Sequence, residues 1–183
     1  MYKRQLQGRA GIDEFILQEH LPGRDIAFDS LWYEGKLITS YARERIEYPF
    51  KHITLSGITG TPSIAKIIVD EKVNKIGEAA VNALDPNPHG FYSVDIKENG
   101  NGKPVVTEVD GKWHTTAPLW GYAFAKAFND SYLNLAYLYL RLGYDEEVPE
   151  LPRNDLFQEN YYLIRQMDAG VILMKGNRVW RIV

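Results

Sequence analysis

The sequence predicts an α+β fold, an antiparallel sheet with flanking helices, and three observations carry that expectation. Extended runs flank compact turn sequences at Glu34-Gly35, within ENGNGK (98–103) and at Gly176-Asn177, which are hairpin signals. Between these hairpins, apolar residues recur at helical spacing. Strands and helices are therefore mixed along the chain, and strands joined by hairpins run antiparallel.

In order along the chain, GRAG (8–11) reads as a glycine-containing loop and FILQEHL (15–21) as a strand, closed by a turn at Pro22-Gly23. Residues 25–45 form two extended stretches around Glu34-Gly35, and YPFKHITLSGITGTP (48–62), rich in turn residues, runs over the surface. The clearest helix spans Ser63 to Leu84, where Ile64, Ile67, Ile68, Ile76, Ala80 and Leu84 form one apolar stripe. Either Ser63 or Thr61, just before Pro62, is its N-cap, and DPNPHG (85–90) ends it. FYSVDIK (91–97) and PVVTEVD (104–110) make the second hairpin; the glycines and asparagines between them tolerate positive φ. From Pro118 the chain turns helical through WGYAFAKAF and SYLNLAYLYLRLG, with Gly143 as the stop. Residues 145–160, acidic and holding two prolines, read as a linker or surface excursion before the third hairpin.

Composition narrows the function. Of 183 residues, 45% are hydrophobic and 25% charged, the balance of a folded domain, and the net charge of −3 makes nucleic acid and anionic membrane poor partners. The absence of cysteine excludes disulfides, thiolate metal sites and cysteine nucleophiles, and suits a cytoplasmic location. No apolar run approaches the ~20 residues that span a bilayer. The opening Met1 to Gln5 (MYKRQ) reads as the translation of a sequencing-library adapter, found at the ends of genes assembled from environmental DNA; a short basic N-terminus is the alternative.

The informative constellation is Asp95, Glu108 and Asp110. Side chains alternate faces along a strand, so a hairpin that pairs Asp95 with either Val106 or Glu108 sets all three carboxylates on one face. Three acids on one face repel unless a cation sits among them, and Mg²⁺ (or Mn²⁺) is a hard ion that takes carboxylate oxygens. Lys112 shares their parity and is placed to meet a phosphate or acyl-phosphate oxygen. The alternative is a set of solvated charges on the polar face of an edge hairpin. Arg43 and Arg45 share a strand face and either meet a phosphate or substrate carboxylate or form surface salt bridges. Trp120, Tyr122, Phe124 and Phe128 read as core or pocket wall, and Arg165 and Asp168 as a polar patch in an apolar tail.

The run GFYSVDIKENGNGKPVVTEVDGK (90–112) resembles the metal-binding hairpin of the ATP-grasp superfamily, in which an acid or amide ends one strand and Glu-x-Asn-x-Arg closes the next. Here Asp95, Glu108, Asp110 and Lys112 stand at those positions, with Asp for the usual asparagine and Lys for the usual arginine. QEHLPGRDIAFDSLWYEGK (18–36) resembles the family's hinge strand, which implies that Glu19 and the backbone near Leu21 hold adenine and Asp25 meets ribose. His114 and Thr115 fall where relatives line the acceptor pocket. The resemblance covers roughly residues 8–145 and is nearest to carbamoyl-phosphate-synthase-like members and carboxylate–amine ligases. It implies a C-terminal ATP-grasp lobe over 6–145, with 1–5 non-native and 146–183 an extension carrying a hairpin. The implied activity is ATP- and Mg²⁺-dependent: a carboxylate or carbamate oxygen is phosphorylated, then an amine attacks the acyl phosphate. Lys112 and Arg43 would be the catalytic cations. The implied partners are nucleotide and small-molecule carboxylate and amine substrates. The other reading is a nucleotide-binding module of the same fold that does not turn over. The family's two nucleotide-binding lysines precede the hinge strand, so a chain beginning near GRAG is expected to be an inactive fragment on its own.

Overall fold

A computed structural model describes residues 18–54, 57–166 and 168–183. The segments MYKRQ and GRAG and the first half of the strand expected over 15–21 lie outside the described residues; over 18–21 the chain has no regular structure. Among the described residues eight strands form one sheet: β1 (Asp25–Tyr33), β2 (Lys36–Glu47), β3 (Ile64–Ile68), β4 (Gly90–Glu98), β5 (Pro104–Asp110), β6 (Tyr162–Gln166), β7 (Gly170–Lys175) and β8 (Arg178–Arg181). Their order is β5-β4-β1-β2-β3-β6-β7-β8, and each neighbouring pair is antiparallel. Among the described residues they are accompanied by the α-helices α1 (Glu71–Leu84), α2 (Ala117–Phe128) and α3 (Leu135–Gly143). The α+β antiparallel class predicted from the hairpins is the class observed. No described helix is long and apolar enough to cross a membrane.

The hairpins form where the turn residues demand. Glu34 and Gly35 have φ of 49° and 78°, the two positive values that fit a tight hairpin to the twist of its strands. β6 pairs with β3, so the C-terminal hairpin extends the same sheet. The stretch 145–160 has neither helix nor strand, yet it is pinned: Phe157 is buried and stacks on Phe124 at 3.8 Å, and Thr39 Oγ1 donates to the Pro152 carbonyl at 2.7 Å.

The long helix expected from Ser63 is instead a strand followed by a helix. Ile64–Ile68 pairs with β2 as β3, and the helix begins at Glu71 with Asp70 as N-cap, accepting from the Lys72 and Val73 amides. A short isoleucine-rich run satisfies both periodicities, and β2 offers it a ladder, which suits β-branched residues.

The sheet is covered on both sides. α1 packs Val73, Gly77 and Val81 on one face, against Ile26, Phe28, Ala42, Val94 and Ile96. α2 and α3 pack Trp120, Phe124, Leu135 and Leu138 on the other, against Leu31, Tyr41, Ile67 and Phe91. Central β1 is consequently buried from Ile26 to Trp32. α1 lies close against the sheet at Gly77, where an added Cβ would lie 2.6 Å from the Phe28 ring. Gly77→Ala is expected to destabilise the fold by about 1–2 kcal/mol, because overpacking outweighs the gain of ~1 kcal/mol in helix propensity. Urea denaturation checks this; an unchanged or raised midpoint would refute the close packing.

Candidate functional site

Strand register builds the site. On the face covered by α2 and α3, three rows cross β5, β4, β1 and β2: Asp110-Ser93-Asp29-Tyr41, then Glu108-Asp95-Ala27-Arg43, then Val105-Lys97-Asp25-Arg45. Asp95 lies opposite Glu108, one of the two registers left open by the sequence, and the three hairpin acids share this face. Ala27 adds only a methyl group to it, between two charged neighbours.

After β5 the chain turns through residues 111–116 into α2. Trp113 stacks on Phe91 at 4.1 Å, and the His114 amide donates to Ser93 Oγ at 3.0 Å. This fixes the His114 ring over the strands, with Nδ1 3.1 Å from Asp29 Oδ1 and Nε2 3.0 Å from Asp95 Oδ1. Asp29 and Arg43 are wholly buried; Asp29 Oδ1 accepts from Ser93 Oγ at 2.7 Å, and Arg43 Nη1 donates to Thr116 Oγ1 at 2.8 Å. Arg43 Nη2 stands 3.0 Å from Asp29 Oδ2, an ion contact whose angle is poor for a hydrogen bond, so both atoms lack a hydrogen-bond partner. Arg45 bridges the outer rows, from Asp25 at 3.0 Å to Asp95 at 2.5 Å, and Tyr48 donates to Asp25 at 2.9 Å. One polar chain thus runs Tyr48–Asp25–Arg45–Asp95–His114–Asp29–Arg43–Thr116.

The charges in this chain shift one another. Burial alone would push the Asp29 carboxyl up, but the Arg43 charge, with His114 and Ser93, holds it well below the usual range. Asp95 experiences the same opposition, and His114 and Arg45 bring it down to about 2. Burial lowers His114, whereas hydrogen bonds to Asp29 and Asp95 raise it, and the net direction is upward. A ring with a carboxylate at each nitrogen donates from both only as the imidazolium.

Beside this chain opens a cavity of about 330 Å³, lined by Asp25, Arg45, Asp95, Asp110, Lys112, His114 and Thr115 among others. Thr61, from the segment before β3, meets Thr115 across it at 3.1 Å. Lys97 also lines it, and its side chain has no ion pair among the described residues. Other residues singled out in the sequence lie elsewhere. Glu108 is exposed outside the lining, Arg43 is sealed behind it, and Glu19 and Leu21 precede β1 without reaching it. Arg165 and Asp168 line a separate depression with Phe50 and Pro62. Trp120 and Phe124 are core, while Tyr122 and Phe128 are partly exposed. Sequence reasoning passed over Asp29, Ser93 and Tyr48. An aspartate in the apolar middle of a strand that is hairpin-paired with an arginine-bearing strand was the available signal.

These carboxylates do not form a magnesium site as they stand. Magnesium needs several oxygens around one point in near-octahedral order. Asp95 Oδ1 is turned to Arg45 and His114, Asp110 lies 3.4 Å from Lys112, and no group of three His, Cys, Asp or Glu converges among the described residues. The repulsion that argued for a metal is relieved by the protein's own cations, Arg45, His114 and Lys112.

His114 gives the network a pH signature. Its folded-state pKa is raised, so the stability it contributes is fully present below about 6.5 and is lost as pH rises through the folded value. The unfolding free energy of the native chain should therefore fall relative to His114→Gln as pH climbs above about 6.5. Parallel profiles from pH 6 to 9 would contradict the placement of the ring between two carboxylates.

No family model and no curated protein matches this chain. Solved structures do. Carboxyaminoimidazole ribonucleotide synthase from Aspergillus clavatus, complexed with ATP, aligns with TM-score 0.53 at 13% identity, covering 81% of this chain and 35% of that one. L-amino acid ligase from Bacillus licheniformis aligns at TM-score 0.41 and 17% identity, over 58% and 26% of the two chains. D-alanine–D-alanine ligase from Bacillus anthracis, complexed with ATP, aligns at 0.41 and 22%, over 71% and 44%. The chain thus spans about a third of the synthase it matches. At 13% identity the likeness to the synthase shows the fold alone, an antiparallel sheet with flanking helices shared over most of this chain.

Proposed function

We propose that this chain is a lobe of an ATP-dependent carboxylate–amine ligase, and that the cavity beside β4 and β5 receives the anionic end of the nucleotide and the carboxylate that it activates. The observation that carries the reading is the cationic set around one cavity of an ATP-grasp sheet: Arg45, Lys97, Lys112 and His114 all line it. Phosphoryl transfer depends mainly on positioning and on charges that offset the oxygens of the transferred group. Lys112 suits that role: it is 71% exposed, its one ion contact is the long one to Asp110, and its four-carbon stem leaves it free to swing onto a phosphate oxygen. Lys97 brings a second uncommitted cation, and Thr61 and Thr115 bring hydroxyl donors. Asp25 stays assigned to the ribose side, with Glu19 and the backbone at Leu21 on the adenine side, while Arg43 acts from behind by fixing Asp29 and Thr116. No step is assigned to Asp95, Glu108 and Asp110 through a metal.

A second reading, a nucleotide-binding module without turnover, is favoured by one observation: Asp95 is already committed to Arg45 and His114. Titration of the chain with ATP, with and without Mg²⁺, followed by amide NMR, tests the shared premise. Shifts should concentrate at β4, β5 and residues 111–116, and Lys112→Ala should weaken binding about tenfold, the loss of one charge-assisted contact. Absence of saturable shifts there would overturn both readings. In a full-length homologue, phosphate release that requires an added carboxylate and an added amine supports the ligase, and binding without release supports the module.

A further inference from the structure

A second cavity, of about 210 Å³, lies between the β1–β2 turn, the loop before β4 and the C-terminal turn of α3. Its walls are Trp32, Tyr33, His89, Tyr139, Leu140, Leu142, Gly143 and Tyr144, so aromatic rings dominate it. Tyr139, Leu140 and Tyr144 are exposed, Tyr144 at 78%, although they are large and apolar. The two acids flanking these rings are Glu34, beside Tyr33, and Asp145, whose Oδ1 accepts from the Tyr33 hydroxyl at 3.0 Å. His89 Nδ1 accepts from the Glu34 amide at 3.3 Å, and its ring lies tilted beside that of Tyr33, with centroids 5.0 Å apart. Among the described residues, no lysine or arginine lines the cavity. Arg141, the basic residue in the last turn of α3, is drawn away to Glu146 and lies over Tyr132 and Tyr137. Lys36, across the hairpin from Tyr33, stays outside the lining. The C-terminus of α3 adds its partial negative charge.

From this we infer that the cavity is a binding site for an organic cation of the quaternary-ammonium class, held by the ring faces of Tyr33, Tyr139 and Tyr144 with Asp145 and Glu34 at the rim. Aromatic faces carry negative electrostatic potential, and a trimethylammonium head has apolar methyl groups that need no hydrogen bonds. Its bulk fits 210 Å³. A metal ion or a primary ammonium would instead require converging oxygens that the lining lacks. This site is distinct from the charged cavity beside β4 and β5, and its occupancy does not depend on the ligase reading.

Choline and its neutral isostere 3,3-dimethylbutan-1-ol separate charge recognition from simple apolar contact. In aromatic NMR titrations of the full chain, choline should shift the Tyr139 and Tyr144 signals saturably. The alcohol should bind about tenfold more weakly, since it lacks the charge that several rings attract. Tyr144→Ala, at an exposed position that does not hold the fold, should weaken choline about two- to fivefold, and Tyr144→Phe should leave it unchanged. Asp145→Asn should also weaken it. Equal binding of the alcohol, no saturable shift with choline, or full binding by Tyr144→Ala would each overturn the assignment.

Discussion

Asp29 and Arg43 put opposite charges on adjacent central strands with no solvent at either one. Desolvating an ion pair costs several kcal/mol per charge, and mutual attraction offsets this only when further hydrogen bonds complete the set. Here Ser93 and His114, from β4 and the turn leading into α2, satisfy Asp29 Oδ1, and Thr116 satisfies Arg43 Nη1, while Asp29 Oδ2 and Arg43 Nη2 meet only each other in ion contact and Arg43 Nε has no hydrogen-bond partner among the described residues. Three separate segments are thereby tied to one buried charge pair. The position of the His114 ring follows from it, and so does the outward chain through Asp95, Arg45 and Asp25 that walls the cavity.

This arrangement changes how the hairpin acids are understood. Acids aligned on one strand face need compensation, and a bound divalent cation is one source of it. Arg45 and His114 are another, and they come from β2 and from the turn after β5, elements remote in sequence from Asp95. The carboxylates are consequently oriented by the protein itself, which leaves Lys97 and Lys112 as the cations with freedom to engage a ligand. The proposed anion-receiving role of the cavity rests on that balance.

The hairpins were legible from local turn signals. Glu34-Gly35, ENGNGK and Gly176-Asn177 all turn where their glycines and asparagines permit, and the register of β4 on β5 falls within the two alternatives that parity allowed. The strand at Ile64–Ile68 was less legible, because its isoleucines fit helical spacing equally well and only the open edge of β2 decides between them. The site divides in the same way. Asp25, Asp95, Asp110, Lys112 and His114 were visible through motif order, and they do line one cavity. Asp29 and Ser93 were not, since their importance arises from pairing across strands more than sixty residues apart. Arg43 was visible as a cation, but its burial follows from the α2 layer, which no local pattern announces.

The buried pair is tested most directly by a double-mutant cycle of Asp29→Asn and Arg43→Met, read as unfolding free energy. Each single change strands a buried charge and should cost about 3–5 kcal/mol. The double variant strands neither, and should fall short of the sum of the two by about 1–3 kcal/mol. Strict additivity would mean that Asp29 and Arg43 act independently, and the anchoring of His114 and of the cavity wall would then need another origin.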